Sequence, residues 1–250
     1  MKWKLVATLA TPLALLGCKE AAPVPRGATS SGASVAAVAT PAADEVVILA
    51  LGDSLFAGYG LGPGQSYPAR LETALKARGI PVRMINAGVS GDTSADGLAR
   101  LDFVLKGIGK KPAMAIISLG GNDMLRAVPP AETRRNLAGL LLKLQATKVP
   151  VVLLGLLAAP NLGSDYTAAF NPIYPALAKQ YGATLVPFWL QPLQGHPELV
   201  QGDHIHPTPP GIDQLVTATV DQIADAVIPT CINHDPRAHW RRPMVMMCQG

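Results

Sequence analysis

The stretch "ILALGDSLFAGYG", residues 48–60, begins as a strand and then stops reading as one. Apolar residues run to Leu51, where Gly52, Asp53 and Ser54 interrupt them. A short branched apolar run without polar alternation is what a strand buried on both faces of a parallel sheet requires. Polar residues just beyond such a strand lie at the carboxyl edge of the sheet, where open α/β sheets bind ligands. The tripeptide alone leaves Ser54 open between nucleophile and turn former, because serine after Gly-Asp also turns chains and caps helices. The glycines that follow, in "GYGLGPG" (58–64), lack the spacing of a dinucleotide-binding loop.

The same strand pattern recurs down the chain. "EVVILAL" (45–51), "VRMINA" (82–87), "AMAIISL" (113–119), "PVVLLGL" (150–156) and "ATLVPF" (183–188) are short, rich in branched residues and bounded by Gly, Pro or Asn. Amphipathic stretches separate them. "SYPARLETALKARG" (66–79) spaces Leu71 and Leu75 four apart and ends on Gly79, and "AETRRNLAGLLLKLQATK" (131–148) puts Leu137, Leu140, Leu141 and Leu144 on one face. A last helix is predicted from about Pro210 to Val227. Strand–helix alternation of this kind predicts an α/β sheet with helices on both faces.

Composition sets the boundaries of that domain. With 250 residues, 49% hydrophobic and 15% charged, the chain suits one globular domain with a sizeable core. Of the +4 formal charge, Lys2 and Lys4 lie at the start, and Arg237, Arg241 and Arg242 lie in the tail against Asp235. The middle is then neutral and has no electrostatic footprint for nucleic acid. Residues 1–17 read as an export signal: two lysines, then "LVATLATPLALL" (5–16), too short and too broken by Pro12 for a bilayer span. The signal ends in "LLGC" (15–18), which resembles the bacterial lipobox and implies lipid on Cys18; an ordinary secretory signal with an incidental Cys is the alternative. Lys19 rather than Asp after that Cys implies, by analogy with such lipoproteins, the outer membrane facing the periplasm. A soluble periplasmic or secreted protein is the other possibility. Residues 18–44, Ala-, Pro- and Ser-rich, read as a disordered tether. The folded domain is predicted over 45–232, with a basic tail at 233–250. In an exported protein Cys231 and Cys248 can pair or remain free, and no Cys/His cluster suggests a metal site.

Four polar clusters follow predicted strands: Gly52-Asp53-Ser54, "SGDTS" (90–94), "GGND" (120–123) and "DHIHP" (203–207). Acyl transfer by serine needs a base in reach, a group that orients the base, and donors aimed at the oxyanion. Ser54 is the candidate nucleophile and His206 the candidate base. Asp203, three residues before His206, can reach back within one turn to set its tautomer. The backbone N–H groups of Ser54 and Gly91 and the side-chain amide of Asn122 are the candidate oxyanion donors. Each residue has a plainer reading alone: a cap, a loop glycine, a turn asparagine, a surface ion pair. His204 is the rival base. Their joint order, each cluster after its own strand, is what points to a serine hydrolase.

With those residues in place, the chain resembles the SGNH, or GDSL, hydrolases. "GDSL" after the first strand, Gly91 in "NAGVSGDTSADGLARL", Asn122 in "GGND" and His206 in "DHIHP" match the family's four blocks. The likeness extends through "LGGNDMLRAVPP" and "IYPALAKQYGATLVPF" to the bacterial thioesterase I, protease I and lysophospholipase L1 group. It implies a three-layer α/β/α flavodoxin-like sandwich with five parallel strands in the order 2-1-3-4-5. It also implies cofactor-free, metal-free hydrolysis of acyl esters and thioesters by a monomer, through an acyl-serine. Aryl esters and lysophospholipids are the further substrates it suggests. Met124, Leu125 and Val128 fall in the loop that in relatives moves over the acyl chain. A carbohydrate or cell-wall O-acetyl esterase on the same fold is an alternative, and a non-catalytic ligand-binding lipoprotein is another.

Overall fold

The structure, a computed structural model, describes residues 45–234. Five strands form one parallel sheet in the order β2-β1-β3-β4-β5: β1 (Val46–Gly52), β2 (Val82–Gly88), β3 (Met114–Ser118), β4 (Val151–Leu154) and β5 (Thr184–Val186). Each falls within, or within a residue or two of, an apolar run read from the sequence. Every residue of β1 and of β3 is buried. A strand covered on both faces gains from an unbroken apolar run, which is why these segments do not alternate.

Eight helices accompany the sheet among the described residues: α1 (Ser54–Ala57), α2 (Tyr67–Ala77), α3 (Ser94–Ile108), α4 (Gly121–Leu125), α5 (Pro130–Ala146), α6 (Ser164–Phe170), α7 (Ile173–Tyr181) and α8 (Pro209–His234). α2 packs on α8, whereas α3 packs on α5 and α5 on α7. Right-handed crossovers explain the split. The chain moves from β1 outward to β2, then reverses over β1 to β3, so α2 and α3 cover opposite faces. α8 continues through His234, beyond both the Val227 helix end and the 232 domain boundary expected from the sequence. Pro229 lies inside it; a proline removes one helical hydrogen bond and bends the helix without necessarily ending it. The export signal, Cys18, the tether, Cys248 and the tail from Asp235 lie outside the described residues.

Register brings the functional loops to one line. Gly52 pairs level with Gly88 on β2 and with Ser118 on β3. The loops carrying Ser54, Gly91 and Asn122 therefore leave the sheet side by side, at the point where strand order reverses. β5 is the far edge strand, so its loop must travel back. It does so because α8 packs against α2, which itself packs on β2. Trp189, just after β5, lies against Tyr67 of α2 at 4.9 Å and Phe56 of α1 at 6.0 Å between ring centroids. Phe56 and Tyr67 stack at 5.5 Å, and Tyr67 Oη bonds Thr219 Oγ1 of α8 at 2.7 Å. This fully buried aromatic cluster lies under the turn that carries Ser54.

Candidate active site

β1 ends at Gly52 and α1 starts at Ser54, with Asp53 as the cap between them. The Asp53 carboxylate accepts the Leu55 N–H at 3.0 Å, which turns the chain sharply and leaves Ser54 at the head of the first turn. Asp53 is 3% exposed, and burial pushes its carboxyl up to about 6, partly offset by the Leu55 N–H and the nearby His206. It is therefore a buried cap and has no hydrogen bond to His206.

The other two members arrive on the loop before α8. Val200 and Pro207 form an antiparallel bridge, and Gln201 N donates to His206 O at 2.7 Å, so the intervening residues form a tight excursion. His206 Nε2 lies 2.8 Å from Ser54 Oγ, and His206 Nδ1 lies 2.6 Å from Asp203 Oδ2. Asp203 Oδ1 accepts the backbone N–H groups of His206 and Ile205, each at 3.0 Å. Those donors, first the His206 N–H, then its ring, then the Ile205 N–H, hold the Asp203 carboxyl well below the ordinary carboxylate range. An ionised Asp203 fixes the tautomer with hydrogen on Nδ1, which leaves Nε2 free to accept from Ser54. His204 is exposed in a left-handed conformation (φ 59°) and makes no such pair.

The expected oxyanion donors stand on three loops that leave the neighbouring strands β1, β2 and β3 at the same edge. The Ser54 N–H sits at the first position of α1, where no helical carbonyl can take it. The Gly91 N–H has no acceptor among the described residues. Gly91 holds φ 89°, a conformation that suits glycine. Asn122 Nδ2 donates one hydrogen to Asp92 O at 2.9 Å, which fixes the amide's orientation and leaves its second hydrogen available. Behind it, the buried Asp123 accepts from Ser94 N at 2.7 Å, from Ser94 Oγ and from Thr133 Oγ1 at 3.1 Å, joining this loop to α3 and α5.

Of the three residues expected on one loop, Met124 and Leu125 close the short helix α4 and only Val128 lies beyond it, because the chain after Gly120 first makes a helical turn. Leu125 is exposed, whereas Met124 is half-buried with its sulfur accepting the Ala159 N–H at 3.3 Å. Val128 is half-buried too, and its carbonyl accepts from Tyr166 Oη at 3.0 Å. Leu125, at the end of α4, joins Tyr59, Val89, Leu157 and Ile205 as exposed apolar side chains on the segments that follow the strands. Sequence reasoning missed Tyr59, whose ring lies 4.4 Å from the His206 ring, and Gln201, whose Nε2 bonds the carbonyls of both Tyr59 and Pro207 at 2.9 Å. No local signal marks either residue, since both act through contacts made across the chain. Two grooves at the opposite edge, one lined by Leu141, Val149 and Tyr181 and one by Leu105, Lys110 and Thr147, hold no Ser–His pair. No cluster of three or more His, Cys, Asp or Glu suited to a metal ion occurs among the described residues.

Comparison with known proteins places the chain in a family. Residues 50–213 match the model of the GDSL-like lipase/acylhydrolase family. Esterase TesA of Pseudomonas aeruginosa is 42% identical over 177 residues, covering 71% of this chain and 87% of that protein. Thioesterase 1/protease 1/lysophospholipase L1 of Escherichia coli is 38% identical over 166 residues, 66% of this chain and 76% of that protein. The crystal structure of AlinE4, an SGNH-hydrolase family esterase, is similar with a TM-score of 0.63 and 56% identity, covering 73% of this chain and 97% of its own.

Proposed function

Because the chain belongs to the GDSL-like lipase/acylhydrolase family, it is a serine ester hydrolase, and we propose that Ser54, His206 and Asp203 carry its chemistry. The observation that supports this most is the continuous hydrogen-bonded chain from Ser54 Oγ through the imidazole to the Asp203 carboxylate. Ser54 Oγ attacks the acyl carbonyl while His206 Nε2 takes its proton. Asp203 stabilises the imidazolium, which then protonates the departing alcohol or thiol. Water attacks the acyl-serine with His206 again as base, and the acid leaves as Ser54 regains its proton. Negative charge on the carbonyl oxygen in both steps is met by the Ser54 and Gly91 N–H groups and the free hydrogen of Asn122.

The substrates we propose are acyl esters, aryl esters, thioesters and lysophospholipids. The exposed apolar residues around Ser54 favour an acyl chain over an acetylated sugar, which needs polar partners instead. We further propose that the enzyme is a monomer, anchored by lipid on Cys18 to the outer membrane and facing the periplasm, a reading supported by the "LLGC" sequence and the tether after it. Intact mass of the mature protein tests the anchor. For the chemistry, Ser54→Ala is expected to abolish turnover of p-nitrophenyl butyrate and labelling by a fluorophosphonate probe. Wild-type activity in that variant would end this reading.

A further inference from the structure

We infer that the Arg100–Asp92 ion pair is the positioning element of the oxyanion hole, a reading that rests on the serine-hydrolase assignment above. Arg100 comes from α3, with Nε 2.5 Å from Asp92 Oδ2 and Nη2 3.0 Å from the carbonyl of Gly52. Both side chains are largely removed from water, 19% and 11% exposed. Surface ion pairs usually contribute little, but a partner stranded in a half-buried pair is costly.

The pair touches the backbone behind all three donors. Gly52 O belongs to the peptide that leads into Asp53 and Ser54, and it also accepts the Val89 N–H at 3.0 Å. Asp92 directly follows Gly91, so holding its carboxylate holds the Gly91 loop. The carbonyl of Asp92 is the acceptor that orients Asn122 Nδ2 at 2.9 Å. One guanidinium thus connects the Ser54 turn, the Gly91 loop and, through Asp92, the Asn122 amide.

The side chain and its base suit this task. The planar guanidinium presents Nε and Nη donors in a fixed fork that serves two acceptors at once, whereas a lysine is a single flexible point charge. The start of α3 is fixed by a reciprocal cap, with Thr93 N donating to Asp96 Oδ2 at 3.0 Å and Asp96 N donating to Thr93 Oγ1 at 3.3 Å. Asp92 immediately precedes that cap. On the solvent side Arg126 Nη2 donates to Gly91 O at 2.9 Å, so the loop is held from both flanks. Neither Arg100 nor Asp92 has a hydrogen bond to Ser54 Oγ or His206, and both act through the donors they position.

The test is steady-state kinetics on p-nitrophenyl butyrate, with thermal unfolding, for Arg100→Met, Arg100→Lys, Asp92→Asn, Asn122→Ala and the double variant Arg100→Met/Asn122→Ala. Arg100→Met is expected to lower kcat by about 30–100-fold with KM within about twofold, and Arg100→Lys and Asp92→Asn by about 5–20-fold. The double variant should lose less than the product of the two single losses, since the part of the Arg100 effect that runs through Asn122 is already gone while the parts that run through Ser54 and Gly91 remain. A purely structural role would lower the melting temperature and multiply in full with Asn122→Ala. Wild-type kcat in folded Arg100→Met or Asp92→Asn, or full multiplication in the double variant, overturns the inference. If Arg100→Met does not fold, Arg100→Lys and Asp92→Asn decide it by the same kcat criterion. Ser54→Ala, run alongside, separates the two readings: its inactivity upholds the serine mechanism whatever the Arg100 variants do.

Discussion

The ring of Tyr59 lies 4.4 Å from the imidazole of His206, tilted by 34°, and covers one face of the histidine proposed as the base. Gln201 fixes both partners, because its Nε2 bonds the carbonyl of Tyr59 and that of Pro207 beside His206. An aromatic face stabilises the imidazolium that forms in the transition state by about 0.5–2 kcal/mol. Tyr59→Ala should therefore lower kcat by roughly 2–30-fold, while Tyr59→Phe, which keeps the ring, should stay near wild type. Steady-state turnover of a short p-nitrophenyl ester distinguishes them, and equal losses in both variants would assign the effect to the hydroxyl.

Asp203→Asn keeps the size of the side chain but replaces an acceptor with an amide that can donate. The amide can turn its NH₂ toward Nδ1 and favour the tautomer with hydrogen on Nε2, which cannot accept from Ser54. A loss of about 10²–10⁴ in kcat is expected, by analogy with the chymotrypsin-type triad. A variant within tenfold of wild type would mean that something other than Asp203 orients His206.

Gly91→Ala tests the backbone rather than a side chain. The left-handed φ of 89° strains any residue with a Cβ, at roughly 1–3 kcal/mol. Space is not the obstacle, since the nearest atom to an added Cβ is Arg126 Nη2 at 3.6 Å. The loop should relax toward an allowed φ and turn its N–H away from the oxyanion. We expect steady-state kcat to fall while KM stays near normal. Unchanged kcat would remove the Gly91 N–H from the oxyanion hole.

Asp53 predicts a slope in stability against pH. Its folded-state carboxyl titrates near 6, above the ordinary 3.8, because burial disfavours the charge. Between about pH 4 and 6 the folded state holds this proton more tightly than the unfolded chain does, so this group's contribution to stability falls as pH rises. Asp53→Asn removes the charge and keeps an acceptor for the Leu55 N–H. The variant should be more stable than wild type at pH 8, by on the order of 2–3 kcal/mol, with the advantage fading below pH 4. Urea midpoints across pH 4–8 measure this, and parallel curves for the two proteins would refute the buried-charge explanation.

The sheet was readable in the sequence because each strand is a short apolar run closed by Gly or Pro, and in the central strands β1 and β3 burial of every residue leaves no alternating pattern. Some helices were harder to see. In α3, Gly97 interrupts the apolar stripe and Phe103 stands 80% exposed, so the stripe that includes Leu101 is blurred. α8 outran its predicted end because a proline two residues past Val227 reads as a stop, although a long packed helix can absorb it. Met124, Leu125 and Val128 shared a motif, yet Met124 and Leu125 lie in α4 and only Leu125 stands exposed, since what each side chain packs against is set by the folded chain.

The sequence by itself determined the nucleophile candidate, its base and acid, and the strand after which each appears. Those are local matters: a polar cluster can follow a buried strand only at the sheet's edge. It also determined, through the spacing of Asp203 and His206, that one turn would join them. What only the tertiary structure decided is the 2.8 Å contact between Ser54 and His206, residues 152 positions apart. That contact depends on α8 packing back against α2 and on the aromatic cluster under Ser54. The parts played by Tyr59, Gln201 and Arg100 are of the same kind. Each acts through groups that its own neighbours in sequence do not carry, and only the folded chain brings those groups within a hydrogen bond or a ring contact.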